Sequence, residues 1–289
     1  MSLDGQRLAA FAAVVELGSF DAAAARLHVT PSAISQRIKS LEHDVGQVLV
    51  KREKPCTATE AGIPLLRLAA QTAMLESETL AEMSGPSDGL TRVALAVNAD
   101  SMSTWFTDVF GALPGVLFDI RIEDQDRSAR LLREGAVMGA VTTERTAVSG
   151  CRIEPLGVMR YLPVASPGYV DRYLRAGVTA ATMAVAPAMA WNRDDALQDM
   201  LLRKLFRRTV NHPVHYVPTA EGFEAATRAG LGWAMYPERA ALAAVDAGGF
   251  VRITNAHLDV PLFWQCWKLD SPMVGAVTDA VRAATSVLR

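Results

Sequence analysis

The sequence predicts a multidomain α+β protein in which a mainly helical N-terminal part precedes a longer α/β part. The first 60 residues are rich in alanine and place apolar side chains at helical spacing. After residue 90, strand-like and helix-like segments alternate, which indicates a mostly parallel sheet with right-handed crossovers. Between the two parts, the run SGPSDG at residues 84–89 is typical of a linker.

Length and composition limit the class of protein. A chain of 289 residues suits two or three domains, and half of its residues are apolar, which excludes wholesale disorder. We expect neither a membrane helix nor a signal peptide, because no apolar run reaches about 18 residues and the N-terminus lacks a basic segment before an apolar one. Cys56, Cys151 and Cys266 have no CxxC spacing and indicate reduced thiols in a cytoplasmic protein. The formal charge of −2 does not by itself suggest a nucleic-acid binder, so that function would depend on a local charge arrangement.

The N-terminal part contains three predicted helices with recognisable ends. Gly18 ends the first helix and Ser19 caps the second. Thr30 caps the third, with Pro31 at its first position, an arrangement that both residues favour. Residues 19–45 therefore predict a helix-turn-helix unit. The alternative is an ordinary helical subdomain with a solvated polar face.

The polar outer face of the third helix has the chemistry of a major-groove reader. Gln36 can pair bidentately with adenine, and Arg37 and Lys39 can meet phosphates. The hairpin that follows carries a basic tip that can serve as a wing. The DNA-contacting candidates are Thr30, Pro31, Ser32, Ser35, Gln36, Arg37, Lys39, Lys51, Arg52 and Lys54. Since one such unit makes few contacts, we expect a dimer that reads two half-sites of double-stranded DNA.

A long helix is expected from about residue 60 to Met83. Leu68 and Leu75 are seven residues apart, which permits a short coiled-coil seam along this helix. A single amphipathic helix without that seam is the alternative.

Residues 18–46, with the sequence GSFDAAAARLHVTPSAISQRIKSLEHDVG, resemble the N-terminal signature of LysR-type transcriptional regulators. The resemblance continues through LVKR at 49–52 and TEAG at 59–62, and the chain length, the long helix and the α/β remainder extend it over essentially the whole chain. It implies a winged helix-turn-helix, a dimerising linker helix and a two-lobed effector domain like a periplasmic binding protein. It also implies self-association into dimers, with a homotetramer as a dimer of dimers.

The resemblance also implies the domain boundaries. Residues 1–59 would bind DNA, 60–89 would form the linker and dimerisation helix with its hinge, and 90–289 would bind the effector. Within the effector domain, lobe I covers about 91–162 plus 266–289 and lobe II covers about 163–265. The effector would occupy the cleft between the lobes and shift the assembly between two arrangements by binding one of them more tightly.

One residue departs from the family pattern. Pro31 stands where the family often has a glutamine that can touch a base. Because a proline side chain cannot form a hydrogen bond, base readout is expected to depend on Thr30, Ser32, Ser35 and Gln36.

The second half resembles one branch of the family, the regulators of lysine and arginine export (the LysG/ArgP type). The most specific stretch is NADSMSTWF at residues 98–106. Shorter resembling stretches lie at 123–124, 139–141, 161–164 and 220–223. This resemblance implies L-lysine or L-arginine as the effector and the promoter of a basic amino-acid exporter gene as the target.

A basic amino acid requires two kinds of partner. Its α-carboxylate favours backbone N–H groups and hydroxyls at a helix start, which residues 100–104 are expected to supply between a strand and its helix. Its distal cation favours carboxylates. The effector-binding candidates are Asp100, Ser101, Thr104, Glu123, Asp124, Thr142, Thr143, Asp194, Asp195 and Glu221. The alternatives are helix caps for Ser101 and Thr104, a solvated loop for 123–126 and a helix N-terminus for 194–195.

The sequence shows no catalytic or metal-binding constellation. His212 and His215 have HxxH spacing, but the intervening proline and the lack of a nearby cysteine or acid argue against zinc. No nucleophile elbow, phosphate loop or HExxH motif is present. We therefore expect a regulator and not an enzyme, with no metal and no cofactor beyond the effector, and no membrane partner. The alternatives are a LysR-type regulator of an aromatic or anionic metabolite and, more remotely, a small α/β enzyme with a helical appendage.

Overall fold

A computed structural model describes residues 3–84, 90–123 and 125–289. Its helices are α1 (Gly5–Leu17), α2 (Phe20–Arg26), α3 (Pro31–Val45), α4 (Ile63–Ser84), α5 (Ala99–Thr104), α6 (Asp108–Ala112), α7 (Gln125–Glu134), α8 (Pro167–Tyr173), α9 (Ala180–Val185), α10 (Leu197–Phe206), α11 (Ala220–Arg228), α12 (Glu238–Asp246) and α13 (Pro272–Ala284). Its strands are β1 (Val50–Lys51), β2 (Thr57–Ala58), β3 (Thr91–Val97), β4 (Val116–Ile122), β5 (Gly139–Thr142), β6 (Cys151–Ala165), β7 (Ala188–Ala190), β8 (Val214–Tyr216), β9 (Ala234–Pro237), β10 (Val251–Arg252) and β11 (Leu258–Trp267). Among the helices formed by these residues, none has the length and apolarity needed to span a bilayer.

The chain divides into two compact units. The first comprises Met1–Asn98, Ala112–Glu154 and Trp264–Ala280, and the second comprises Ala99–Gly111, Pro155–Phe263 and Val281–Arg289. Each unit is therefore assembled from separate stretches of the sequence.

The N-terminal part of the first unit forms the predicted helix-turn-helix followed by a hairpin. Gly18 ends α1 in the left-handed conformation, with φ of 66°. The Ser19 hydroxyl accepts a hydrogen bond from the Ala22 N–H (3.4 Å), and the Thr30 hydroxyl accepts one from the Ala33 N–H (3.2 Å). The side chains fully buried between the three helices include Phe11, Val14, Ile34, Ile38 and Leu41. The predicted helix ends are confirmed, and so is the hairpin, because β1 and β2 pair antiparallel.

The long helix is also confirmed, as the 22-residue α4, which packs against α1 and α7. Its approach to the α/β part is so close that a Cβ on Gly135 would lie 2.5 Å from the Cα of Arg67. The Arg67 guanidinium donates a hydrogen bond to the Ser149 carbonyl. Leu68 and Leu75 remain 37% and 38% exposed, so the predicted seam stays accessible on the helix surface.

The α/β part of the first unit contains the predicted parallel strands. β3 lies between β4 and β5 and pairs parallel with both. The end of β11 lies beside β5, where the Trp267 N–H donates to the Met138 carbonyl (3.0 Å). Trp264 is fully buried, and its indole N–H donates to the Thr278 hydroxyl of α13 (3.1 Å).

The second unit differs from the sequence-based expectation. β6 pairs antiparallel with β9 and β10, whereas β7 and β8 pair parallel. The expectation of a mostly parallel sheet after residue 90 is therefore wrong for the neighbours of β6. The reason is that a buried strand has the same apolar pattern whichever way its neighbours run. The helices α8, α9 and α12 have no counterpart in the prediction.

A second correction concerns the segment after β3. The sequence predicts that residues 100–104 lie between a strand and the start of its helix. In the structure, α5 already begins at Ala99, and the separate α6 begins at Asp108. Polar residues 100, 101, 103 and 104 suggested a loop, yet the helix starts two residues after β3 ends. These residues therefore lie within a helix and do not precede one.

Candidate DNA-binding and effector-binding sites

α3 has one buried face and one polar face. Ile34, Ile38 and Leu41 are completely buried against α1 and α2, which turns the intervening polar positions outward. The exposed DNA-contacting candidates are Thr30, Pro31, Ser32, Gln36, Lys39, Lys51, Arg52 and Lys54, and the half-buried ones are Ser35 and Arg37. The described chain therefore offers an amphipathic recognition helix and a basic hairpin on the same small domain.

Two of the basic candidates are held by residues that the sequence did not single out. An Arg37 guanidinium N–H donates to Gln6 Oε1 (2.9 Å) at the start of α1. The Arg52 guanidinium carbon lies over the Phe20 ring, 5.0 Å from its centroid. The spacing within α3 and the hairpin carries no signal for either pairing, because Gln6 and Phe20 lie on other helices.

In the second unit, Asp100 of α5 meets Tyr161 of β6. The Tyr161 hydroxyl donates a hydrogen bond to Asp100 Oδ2 (2.7 Å). Burial raises the pKa of Asp100 to about 6; the Tyr161 hydrogen bond opposes this shift, and the negative charge of Asp195 adds to it. Burial and the neighbouring Asp100 carboxylate hold the pKa of Tyr161 well above its usual value, so this phenol remains a donor.

Asp195 is held in place just before α10. Its Oδ2 accepts a hydrogen bond from the Trp191 N–H (2.9 Å) and its Oδ1 accepts one from the Leu197 N–H (3.1 Å). Asp194, by contrast, is exposed, and its N–H donates to Asn192 Oδ1 (2.8 Å). The interpretation of this pair as a helix N-terminus is confirmed for Asp195, whose charge also reaches Asp100.

Aromatic side chains accompany these carboxylates in the second unit. The rings of Trp191 and Phe223 lie 6.5 Å apart, and those of Phe223 and Tyr236 lie 5.5 Å apart. Burial raises the pKa of Tyr236 to about 12, and the charge of Asp100 contributes in the same direction. The arrangement combines two carboxylates, two phenols and apolar ring surface, which suits a cation on an aliphatic stem.

The tryptophans of the described residues differ in burial, and one of them is a candidate site residue. Trp105, Trp233 and Trp264 are completely buried and belong to the core. Trp191 is only half-buried. Sequence reasoning did not propose Trp191, Tyr161 or Tyr236 as site residues; the only signal was that Tyr161 begins one of the stretches that carry the resemblance.

The other effector candidates in the second unit are placed differently from one another. Ser101 is completely buried within α5. The Thr104 hydroxyl donates back to the Asp100 carbonyl (2.6 Å) at the last turn of α5, so the interpretation of Thr104 as a cap at a helix start is wrong. Glu221 is exposed in the first turn of α11, which Thr219 caps by accepting from the Gly222 N–H (3.2 Å).

The remaining effector candidates belong to the first unit or lie outside the described residues. Glu123 follows β4, and its N–H donates to the Val97 carbonyl (3.2 Å). Thr142 is buried at the end of β5, with its hydroxyl accepting from the Glu144 N–H (3.1 Å), and Thr143 is half-buried. Asp124 lies outside the described residues.

The histidine pair is not as isolated as the sequence suggests. The expectation that no acid lies near it is wrong, because Asp199 Oδ1 lies 3.9 Å from His212 Nδ1. His212 Nδ1 also lies 3.1 Å from the Val210 carbonyl, while His215 is exposed on β8. Over residues 3–84, 90–123 and 125–289, no three histidine, cysteine or acidic side chains are grouped as metal ligands.

Residues 6–63 match the family described as bacterial regulatory helix-turn-helix protein, lysR family. Residues 87–286 match the family described as LysR substrate binding domain. The chain belongs to the LysR family of transcriptional regulators. The predicted DNA-binding regulator, with its N-terminal helix-turn-helix and C-terminal effector-binding region, is thereby confirmed.

Similar proteins include close relatives of the predicted branch. The HTH-type transcriptional regulator LysG of Mycobacterium tuberculosis is 69% identical over 287 residues, covering 99% of this chain and 95% of that protein. The lysine export transcriptional regulatory protein LysG of Corynebacterium glutamicum is 40% identical over 272 residues, covering 93% of each. These relatives are transcriptional regulators, in agreement with the expectation that this LysR-family chain is not an enzyme.

Two solved structures are similar over nearly the whole chain. ArgP from Mycobacterium tuberculosis superposes with a TM-score of 0.95 at 69% identity, covering 99% of both chains. The full-length LysG of Corynebacterium glutamicum with bound effector Arg superposes with a TM-score of 0.84 at 38% identity, covering 99% of this chain and 100% of that one. The resemblance to the LysG/ArgP branch of the LysR family is thereby confirmed.

Proposed function

We propose that this LysR-type regulator senses L-lysine or L-arginine and controls the promoter of a basic amino-acid exporter gene. The observation that carries the proposal is the Asp100 carboxylate, which accepts a hydrogen bond from the Tyr161 hydroxyl (2.7 Å), together with the backbone-anchored carboxylate of Asp195 in the same unit. The names of the similar LysG proteins and the arginine bound to the Corynebacterium protein support it.

The distal cation of the effector would bind the carboxylates of Asp100 and Asp195. An ammonium or guanidinium donates only, so it needs acceptors, and an ionised carboxylate supplies up to four lone-pair sites. The neighbouring ring surface of Trp191 and Phe223 would cover the aliphatic stem. A bound cation would favour the ionised form of Asp100, whose carboxyl burial holds toward the protonated form.

On the DNA side, α3 would enter the major groove and the hairpin would follow the backbone. Gln36, with Ser32 and Ser35, would read base edges. The phosphate contacts would come from Arg37, Lys39, Lys51, Arg52 and Lys54. The proposed division is a DNA-binding domain at 1–59, a linker and dimerisation helix at 60–89 and an effector domain at 90–289. The regulator would act in the cytoplasm as a dimer or as a tetramer of two dimers.

Titration calorimetry with uncharged isosteres tests the effector assignment. L-norleucine has nearly the stem of L-lysine without the ammonium, and L-citrulline replaces the guanidinium of L-arginine by a neutral ureido group. We expect L-lysine or L-arginine to bind and the matching isostere to bind at least about tenfold more weakly, because a lost charge pair leaves half-buried carboxylates unmatched. Equal affinity for an amino acid and its isostere would contradict the proposal.

An aromatic ligand is the second candidate, favoured by the rings of Trp191, Phe223 and Tyr236. The variant Asp195→Asn distinguishes the two. It should weaken binding of a basic amino acid but leave binding of a neutral aromatic ligand unchanged. The exposed Asp194→Asn variant is the matched control.

A further inference from the structure

The basic hairpin is attached to the turn between α1 and α2. The Cys56 N–H donates to the Gly18 carbonyl (2.8 Å). A Cβ on Gly18 would lie 2.6 Å from the Cβ of Pro55, so the turn and the hairpin approach closely at this point. This attachment brings Arg52 of the hairpin to Phe20, the first residue of α2.

Arg52 and Phe20 form a cation–π pair. The guanidinium carbon lies 5.0 Å from the ring centroid, inside the range in which the ring attracts a cation. Phe20 is half-buried and packs against the core of the three helices, so its ring is fixed, whereas the Arg52 side chain is exposed. Within the described part of the chain, the Arg52 guanidinium has no hydrogen bond or ion pair.

This geometry leaves the hydrogen-bonding capacity of Arg52 unused. The N–H donors of a guanidinium point outward in the plane of the group. An aromatic ring instead contacts the flat face of the guanidinium, so the donors stay available. One arginine can therefore contact Phe20 and donate to a phosphate at the same time. A long exposed side chain also loses rotamer freedom when it binds, and a contact that is already formed reduces that loss.

We propose that Phe20 is a positioning residue for DNA binding, whose ring holds the Arg52 guanidinium in the orientation that meets a backbone phosphate. The inference rests on the proposed phosphate contact of Arg52. Phe20 itself does not touch DNA in this account. Lys51 and Lys54, on the same hairpin, have no aromatic contact of this kind within the described part of the chain.

A double-mutant cycle on the full chain tests the pairing. The probe is a random-sequence duplex of about 30 base pairs at fixed salt, because phosphate contacts do not depend on sequence. Affinities would be measured by fluorescence anisotropy for Phe20→Leu, Arg52→Gln and the double variant. Phe20→Leu should weaken binding about 2- to 5-fold per bound protomer when Arg52 is present. In the Arg52→Gln background it should have no further effect.

Matched controls separate positioning from a role in the core. Phe20→Tyr keeps a ring face and should retain wild-type affinity. Phe20→Leu should weaken binding equally with and without Lys54→Ala, because Lys54 does not contact the ring. If Phe20→Leu does not fold, as judged by thermal unfolding, Phe20→Met replaces it in the same cycle.

Each other outcome overturns the inference. An equal effect of Phe20→Leu in both Arg52 backgrounds would assign Phe20 to the core alone, and no effect in either would remove its role. Wild-type affinity in Arg52→Gln would remove the phosphate contact, and the positioning role with it. Failure of the phosphate contact is distinguishable from failure of the positioning role alone, because it already appears in the Arg52→Gln single variant.

Discussion

At the scale of single residues, the Asp100 carboxyl opposes folding at neutral pH. Its pKa of about 6 lies above its usual value of 3.8, mainly because of burial, so the folded state holds the proton more tightly than the unfolded state. Stability therefore falls as pH rises from about 4 through 6. Asp100→Asn should raise the free energy of unfolding at about pH 7.5, by on the order of 1–3 kcal/mol, and leave it unchanged near pH 4.

Urea unfolding at the two pH values checks this prediction. An equal gain at both would show that the effect does not come from the carboxylate charge. The exposed Asp194→Asn variant is a suitable control, since it removes the same charge from a position where the carboxyl is solvated.

The same residue should make effector binding depend on pH. A cation binds the ionised form of Asp100, so affinity for arginine should be level above about pH 7 and fall as pH drops through 6. Because the Tyr161 hydroxyl stabilises the ionised form, Tyr161→Phe should move that fall to higher pH. Calorimetry between about pH 5 and 8 measures both midpoints; an unchanged midpoint in Tyr161→Phe would contradict this account of the hydrogen bond.

Readout of DNA sequence provides a further prediction at this scale. Gln36→Ala should weaken binding to a specific site far more than to random duplex, because Gln36 would contact a base edge. Lys54→Ala should weaken binding to both kinds of duplex. It should also reduce the slope of log affinity against log salt concentration by about one per lost phosphate contact. Competition binding on the two kinds of duplex measures this. Equal losses for Gln36→Ala on both would remove it as a base reader.

Individual site residues were predictable from the sequence, but contacts between residues far apart in the sequence were not. Asp100 follows from its charge and from the resembling stretch at residues 98–106, and Asp195 follows from its charge alone. The hydrogen bond from Tyr161 to Asp100 spans 61 positions, and the link between Asp100 and Asp195 spans more. Such contacts depend on how β6 and α10 are packed, which no local spacing encodes.

At the scale of elements, α4 is joined to α13 by one carboxylate. Glu78 Oε1 accepts from the Ser271 hydroxyl (2.6 Å) and from the Met273 N–H (3.1 Å) at the start of α13. Glu78→Ala leaves both donors without this acceptor and should lower the free energy of unfolding by about 1–3 kcal/mol. Glu82→Ala, an exposed acid on the same helix, should have little effect. Urea unfolding measures the free energy of unfolding of Glu78→Ala and of Glu82→Ala. Equal values for the two variants would contradict a stabilising role for Glu78.

Helix ends were predictable where a single residue determines them. Gly18, Ser19 and Thr30 act within one turn of their own helix, so the sequence alone suffices for α1, α2 and α3. The start of α5 was misplaced because its polar residues lie inside the helix. There, burial of Ser101 and the back-bonding hydroxyl of Thr104 replace the solvation that a loop would provide.

At the scale of the whole molecule, alternation of strands and helices predicted the parallel strands β3, β4 and β5 but not the antiparallel neighbours of β6. The periodicity of apolar residues indicates which side chains of a strand are buried, but it does not indicate whether the neighbouring strand is parallel or antiparallel. The family resemblance predicted more of the domain organisation than periodicity did, because members of a family share the order of their domains.

The most direct test of the central proposal is a gel shift with the DNA that flanks this chain's own gene. It is run at fixed salt, with and without L-lysine or L-arginine, and with L-norleucine and L-citrulline as controls. We expect a specific complex whose affinity, mobility or footprint changes with a basic amino acid and not with its uncharged isostere. A specific complex that is indifferent to both amino acids would contradict the proposed effector.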